Sequence, residues 1–275
     1  MELYRIIKRD SRSILKSCWG RSVAAVFIIL AVYLLLTVFE SVMMIIFSDE
    51  DVASMSLFDA GNVSVPILVI TAFASVVATI VFPALLIGFK RLHFSFANDE
   101  DTDISALFDV FSSLKFIARS IIFYAMLIFK YIFFTVLAFL PGSVLIAAAR
   151  FYIAPETKNM SVLQICAYCV GVVVTLLCLS LFAIYAQKWF AAEYYLSEGK
   201  NPSEAFKLSA KVTKGLNISI IRFKLSFFGW ALLSLLLLPA LWSLPYYSVS
   251  KALYAKYLME KYERSLADFP EKSEE

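Results

Sequence analysis

The chain has 275 residues, of which 61% are hydrophobic and 17% are charged, and its mean hydropathy is +0.78. A soluble domain contains about 45–50% apolar and about 25% charged residues, so this composition excludes an ordinary water-soluble globular protein. The formal net charge of +3 is small, and we expect no nucleic-acid partner.

Long apolar runs indicate the fold class. A helix rises 1.5 Å per residue, so about 20 apolar residues are needed to cross about 30 Å of hydrocarbon. Lipid offers the backbone no hydrogen-bond partners, so spanning segments of this length must be helical. The sequence therefore predicts an all-α, polytopic transmembrane bundle that forms a single integral membrane domain over residues 1–275.

Six spans are predicted in chain order. They are preceded by a cytoplasmic amphipathic helix at 1–21 and followed by a cytoplasmic tail at 259–275. The predicted spans cover about 23–47, 63–89, 116–140, 162–186, 218–238 and 241–258. The third span is expected to break at Pro141-Gly142, because proline removes a helix hydrogen bond and clashes with the preceding turn. The path of residues 141–162 is left open.

Three cytoplasmic segments, 2–18, 103–113 and 202–214, are predicted to form amphipathic helices. Asp103 is suited to cap the second, and Asn201 to begin the third. Each helix would precede one transmembrane hairpin, so the chain reads as one unit used three times. An internal repeat would produce this pattern, but so would any protein built from successive transmembrane hairpins. The low identity between the units leaves both explanations open.

The distribution of basic residues predicts that both termini are cytoplasmic. With six spans, every Lys and Arg except Lys130, Arg150 and Lys158 falls in a cytoplasmic segment or at its membrane edge. With five spans, a basic tail would face outward, against the positive-inside rule. That tail contains Lys251, Lys256, Lys261, Arg264 and Lys272.

Lys130 is the main candidate for a functional residue inside the membrane. It falls well inside the third predicted span, where a charge costs at least about 2.5–3.5 kcal/mol on insertion scales. Glu40 in the first span is the candidate partner of opposite charge. Alternatively, the Lys130 side chain extends along the helix to the interface, or Glu40 reaches water at the outer surface. His93 follows Lys90-Arg91, and a histidine at this edge can simply sit among lipid headgroups.

No combination of residues predicts catalysis. The sequence contains no glycine-rich nucleotide loop, no His-Glu-x-x-His motif and no Ser-His-acid set. We therefore predict no catalytic, cofactor-binding or metal-binding residues and do not expect an enzyme.

The last third of the chain carries a recognisable set of short motifs. They include Lys214-Gly215, Arg222-Phe223, Leu225-Ser226-Phe227-Phe228-Gly229-Trp230 and Leu244-Pro245-Tyr246. This pattern resembles a bacterial integral-membrane family known as domain of unknown function 975. Its motif residues correspond here to Ser226, Gly229, Trp230, Pro245 and Tyr246. The resemblance extends more weakly upstream, to Gly88, Leu107-Phe108 and Pro141-Gly142. After Pro141-Gly142 the chain departs from the family pattern, because an extra segment that includes the fourth span follows. The resemblance implies a protein of the bacterial plasma membrane and no assigned activity.

Two functional interpretations follow from the sequence. The first is a non-enzymatic accessory or regulatory membrane subunit that binds lipids, a membrane protein partner or further copies of the chain. Residues 2–21 would then lie against the anionic inner leaflet. The alternative is a transporter or transporter subunit with a site near Lys130 and the Pro141-Gly142 break, since broken helices often line substrate sites.

Overall fold

The computed structural model describes residues 2–47, 65–153 and 162–268. These residues form helices and turns, with no strand among them. The α-helices are α1 (Glu2–Phe47), α2 (Val65–Ala97), α3 (Leu114–Ala148), α4 (Val162–Tyr185), α5 (Ala192–Ser197), α6 (Pro202–Val212), α7 (Asn217–Leu225), α8 (Phe228–Leu233) and α9 (Leu237–Asp268). Short 3-10 segments cover Ile104–Leu107, Asp109–Ser112 and Ala186–Trp189, and a π-helical turn covers Ala149–Ile153. The predicted all-α class is confirmed.

Four stretches of the described chain are long and apolar enough to cross a membrane. They are Leu3–Met43, Leu68–Ala97, Leu114–Phe151 and Val162–Ser197. The six-span arrangement is not confirmed. The segment predicted as a fifth span, 218–238, is divided into α7 and α8, which have only nine and six residues. The predicted sixth span, 241–258, lies inside the longer and more polar helix α9. Lys158 and Lys272 lie outside the described residues.

The first helix differs from the prediction. The amphipathic helix 1–21 and the span 23–47 were expected as separate elements, but they form one uninterrupted α-helix of 46 residues, about 69 Å long. No proline falls within this stretch to stop it, and a single glycine, Gly20, is tolerated inside a helix. The N-terminal half of α1 therefore continues the helix of the first apolar stretch.

Helix α3 also runs on where a break was predicted. It continues through Pro141 and Gly142 to Ala148. Proline is tolerated inside membrane helices when neighbouring helices and Ser or Thr side chains satisfy the freed backbone groups. Here α4 packs directly against Gly142, the residue after the proline, and supports the helix at this point.

Gly142 and Gly171 allow a close approach of α3 and α4. A methyl group at Gly142 would overlap Thr175 Oγ1 and would lie 2.5 Å from Gly171 O. The Thr175 hydroxyl donates to this same carbonyl at 2.9 Å. Helices that associate in lipid rely on such small residues, since the hydrophobic effect does not drive them together.

The predicted helix boundaries near the turns are largely correct. Asp103 Oδ1 accepts a hydrogen bond from Ile104 N at 2.8 Å, which confirms the cap, although 103–113 forms 3-10 turns rather than one α-helix. Helix α6 begins at Pro202 after Asn201. Gly215 follows with a φ of 77°, a conformation that glycine adopts without steric cost.

The packed core lies at one end of the molecule. It is built from the N-terminal half of α1, the C-terminal third of α2, the start of α3, and helices α5, α6, α7 and α9. Lys256 Nζ on α9 donates to Ala97 O at the end of α2 at 2.9 Å, where a helix leaves unpaired carbonyls. The other halves of α1 and α2, and most of α3 and α4, expose large apolar side chains. This is the distribution expected when lipid covers them.

The α3–α4 contact gives a matched pair of glycine substitutions. We expect Gly142→Ala to destabilise the protein by about 1–3 kcal/mol, because the added methyl forces the two backbones apart. The control is Gly229→Ala, where the methyl would meet no atom within 4 Å. That change should be neutral or stabilise α8 by up to about 1 kcal/mol. Thermal unfolding in detergent measures both, and equal effects would contradict the contact.

Candidate functional site

Three buried charged side chains join three helices of the core. Lys251 Nζ on α9 donates to Glu193 Oε2 on α5 at 2.9 Å, and Lys90 Nζ on α2 lies 3.3 Å from the same oxygen. All three side chains are between 15% and 19% exposed. Glu193 therefore compensates two ammonium groups at once and connects α2 to α9.

The local fold directs Glu193 into the core. After α4 the chain turns through Ala186–Trp189, and Ser209 on α6 fixes this turn. The Ser209 hydroxyl donates to Lys188 O at 2.7 Å and accepts from Ala191 N at 3.1 Å. The residues on either side of Glu193, Ala192 and Tyr194, have no exposed surface. The whole of α5 is thus held inside the core, and its single carboxylate is held there with it.

A third lysine, Lys224 on α7, lies close to this cluster and outside the four candidate spans. Its ammonium group and that of Lys251 are each 5.5 Å from the centre of the Phe190 ring. Burial and repulsion from Lys251 and Lys90 lower the pKa of Lys224 to about 8, although Glu193 opposes this. Burial also disfavours the charge of Lys251, but the Glu193 carboxylate raises the pKa of Lys251 above its usual value. One carboxylate thus faces three ammonium groups.

Lys224 borders a cavity of about 340 Å³ between α7, α8 and the start of α9. The cavity walls are mostly apolar and include Phe227, Trp230 and Leu244. Its polar groups include Lys224 and the Tyr247 hydroxyl group. Among the described residues, the Lys224 ammonium group takes part in no ion pair and no hydrogen bond. The cavity therefore combines an apolar wall with a cation that shares the single Glu193 carboxylate with two other lysines and is not paired with it directly.

The N-terminal half of α1 fixes the short α7–α8–α9 segment, which we call the third hairpin. The Tyr4 hydroxyl lies 2.6 Å from Ser219 Oγ, and Lys8 Nζ donates to Ser226 O at 2.7 Å. The Lys8 ammonium also lies 4.5 Å from the centre of the Phe227 ring. The Tyr246 hydroxyl donates to Lys8 O at 3.4 Å. These contacts attach both α7 and the start of α9 to the N-terminal half of α1.

Most of the residues that carry the family resemblance belong to this hairpin. Ser226 ends α7 and supplies its carbonyl to Lys8, and the Trp230 ring packs 5.3 Å from that of Tyr246. Pro245 lies inside α9, and Gly229 lies in α8. Further upstream, a methyl group at Gly88 would overlap Leu107 O, so α2 needs glycine there to approach the 3-10 segment.

The structure does not bring Lys130 and Glu40 together. The Lys130 ammonium lies 3.4 Å from the centre of the Phe206 ring on α6 and 5.7 Å from that of Trp189. The ion pairs of the described residues do not include Glu40. Lys130 thus reaches back along α3 toward the core, as the extended-side-chain alternative anticipates.

The sequence predicts the wrong environment for His93 and gives no prediction for Glu193. His93 is 1% exposed rather than among headgroups. Its Nε2 lies 2.7 Å from Ser22 Oγ, and its Nδ1 lies 2.8 Å from Phe89 O, so it connects α1 to α2. Glu193 was not singled out at all. The only sequence signals were an acidic residue beside two tyrosines and the lysine, Lys251, that interrupts the last apolar run.

The comparisons with known proteins identify the family. The family model described as "Protein of unknown function (DUF975)" matches residues 1–261. The chain belongs to the DUF975 family. Neither the comparison with curated proteins nor the comparison with solved structures gave a match. The resemblance seen in the last third of the sequence is thus confirmed, and it extends over nearly the whole DUF975 chain.

The charge cluster predicts a large effect of neutralising Glu193 in this DUF975 protein. We expect Glu193→Gln to cost about 3–5 kcal/mol, because Lys90 and Lys251 would remain buried without a counter-ion. Glu198→Gln, at the exposed end of α5, is the control and should change stability by less than about 0.5 kcal/mol. Adding Lys251→Met to Glu193→Gln should recover part of the loss. Thermal unfolding in detergent measures the stability of all three variants. A Glu193→Gln protein as stable as the Glu198→Gln control would contradict a stabilising role of the charge cluster.

The lowered pKa of Lys224 predicts unusual reactivity. At pH 8 about half of its amine is neutral, against less than about 1% of a lysine with the ordinary pKa of about 10.4. A small, limiting acylating reagent should therefore modify Lys224 faster than the exposed Lys207, with a rate that is half-maximal near pH 8. Peptide mapping by mass spectrometry measures this. Slower labelling of Lys224 than of Lys207 at pH 8 would contradict the assignment.

Proposed function

We propose that this DUF975 protein is a non-enzymatic accessory or regulatory subunit of the bacterial plasma membrane that binds an acidic segment of a protein partner. The packed core lies on the cytoplasmic side in this proposal. The exposed face of the N-terminal half of α1 is the binding surface. The two supporting arguments are the orientation of the chain and the geometry of α1.

The charge distribution supports the orientation. Four crossings by α1 to α4, like six crossings, return the chain to the side on which it began. The core end carries most of the basic residues, and the positive-inside rule assigns that end to the cytoplasm. Both termini are then cytoplasmic, as the sequence predicts.

One observation carries the proposal, namely the two-sided character of α1. Ile7, Ser11, Leu15 and Cys18 are buried in the core. On another face, four basic residues recur at spacings of four, three and four residues, and all are exposed. This cationic stripe consists of Arg5, Arg9, Arg12 and Lys16. A helix with one face fixed in a core presents such a stripe in a rigid arrangement, so a partner meets four pre-positioned charges.

The continuity of α1 favours a protein over the leaflet as the binding partner. A separate helix at 2–21 would lie flat on the membrane, but α1 is uninterrupted. Arg5 therefore lies about 24 Å along the helix axis from Arg21, where the first apolar run begins. The stripe is therefore held on a helix whose other half is the first apolar stretch. It cannot lie flat on the leaflet as a separate helix would, and it remains accessible to a protein.

The described contacts do not favour the transporter alternative. Its two supporting features were a broken third helix and a Lys130–Glu40 pair. Helix α3 is continuous through Pro141, and Lys130 lies against Phe206. We therefore retain the accessory-subunit proposal alone.

Affinity isolation of the tagged protein from its native membranes, in mild detergent with mass spectrometry, tests the proposal. We expect a stoichiometric protein partner to co-purify. Replacing all four residues of the cationic stripe with glutamine should reduce its recovery at least tenfold, because charges that set the association are removed.

The matched control replaces three exposed lysines of the same end of the molecule, Lys207, Lys211 and Lys214, with glutamine. It should leave the recovery unchanged. The proposal is wrong if the wild-type protein is isolated without a protein partner. It is also wrong if the stripe variant retains the partner as well as the control does.

A further inference from the structure

The third hairpin exposes apolar side chains although none of its helices is one of the four candidate spans of the described chain. Leu232, Leu233, Leu235 and Leu236 are between 44% and 81% exposed. Trp242, 55% exposed, packs 5.8 Å from Trp19 on α1, near the start of the first apolar run. Contiguous exposed apolar surface of this kind indicates contact with a membrane, and tryptophan favours the membrane interface. A hairpin that enters one leaflet without crossing it would account for both features.

The cavity of the third hairpin opens among these side chains. Ala231 and Ser234 line it, and the exposed leucines directly precede and follow Ser234 in the chain. Exposed apolar side chains therefore border the segment that lines the cavity. Its volume of about 340 Å³ leaves room for an anionic headgroup.

Charge determines which ligand fits. Lys224 lines the cavity, and it shares contact with the Phe190 ring with Lys251. The nearby carboxylate, Glu193, is already paired with Lys251 and Lys90. A cation enclosed by apolar walls is unfavourable without a counter-ion. An anion in the cavity would supply the missing charge, whereas a neutral or cationic ligand would not.

We propose that this cavity binds the headgroup phosphate of one anionic phospholipid from the surrounding leaflet, with Lys224 as its counter-ion. The acyl chains lie along the exposed leucines of the hairpin, where they remain in the bilayer. The apolar walls and the exposed leucines select a lipid over a free anion, which would gain nothing from them. This site is independent of the cationic stripe and of any partner bound there.

Thermal unfolding of the purified protein in detergent tests the site. The probes are phosphatidylglycerol, phosphatidylcholine with the same acyl chains, and inorganic phosphate, all at pH 7. We expect phosphatidylglycerol alone to raise the melting temperature, because it binds only the folded state. Native mass spectrometry should then show one retained lipid for each chain.

Two variants of Lys224 and one control variant separate a binding role of Lys224 from a structural one. Without lipid, Lys224→Gln should melt at the same temperature as the wild type or higher, because an uncompensated buried charge is removed. It should also bind phosphatidylglycerol at least about tenfold more weakly, as expected when a hydrogen bond to a charged group is lost. Lys224→Arg should retain the binding. Lys115→Gln, which removes an exposed lysine at the start of α3, should behave as the wild type.

Several outcomes would overturn the proposal. A lipid-induced shift that survives Lys224→Gln would place the lipid elsewhere. An equal shift with phosphatidylcholine would show that charge does not select the ligand. An equal shift with inorganic phosphate would identify a free-anion site rather than a lipid site. A Lys224→Gln protein that melts well below the wild type without lipid would show that Lys224 is a structural residue.

Discussion

The Glu193 carboxylate is the interaction on which the core of this protein depends. Two lysines from distant parts of the chain, Lys90 and Lys251, share one of its oxygens. A buried ion pair contributes little to stability over an apolar substitute, but losing one partner is costly, because the other charge is then stranded. The arrangement therefore specifies which helices meet. It fixes α9 against α2, and α9 in turn forms one side of the third hairpin.

A different physical interaction holds together the part of the molecule that faces lipid. There, burial of apolar surface provides no driving force, because lipid tails are as apolar as the side chains. Close backbone approach replaces it, as where Gly142 of α3 meets Gly171 of α4. The protein thus combines an ion-paired core at one end of the helices with close packing through small residues in the part that exposes apolar side chains.

The rigid helix α1 links the two proposed binding surfaces. Its exposed side carries the cationic stripe, and Lys8, beside that stripe, contacts Ser226 and Phe227 of the third hairpin. Phe227 is one of the residues that line the cavity of the hairpin. A partner on the stripe and a lipid in the cavity would therefore be attached to the same short segment of structure.

The sequence by itself determined the helical class, the first four apolar stretches and the boundaries of α6. Each depends on local features, namely long apolar runs, Asn201, Pro202 and Gly215. The family, too, was recognisable from short motifs of the last third. Only the tertiary structure decided which residues form the site. The site residues Glu193, Lys90 and Lys224 lie far apart in the chain. A hydropathy average over many residues does not detect the single charged side chains that meet in the core. The continuity of α3 through Pro141 was likewise decided by packing, because α4 supports the helix there.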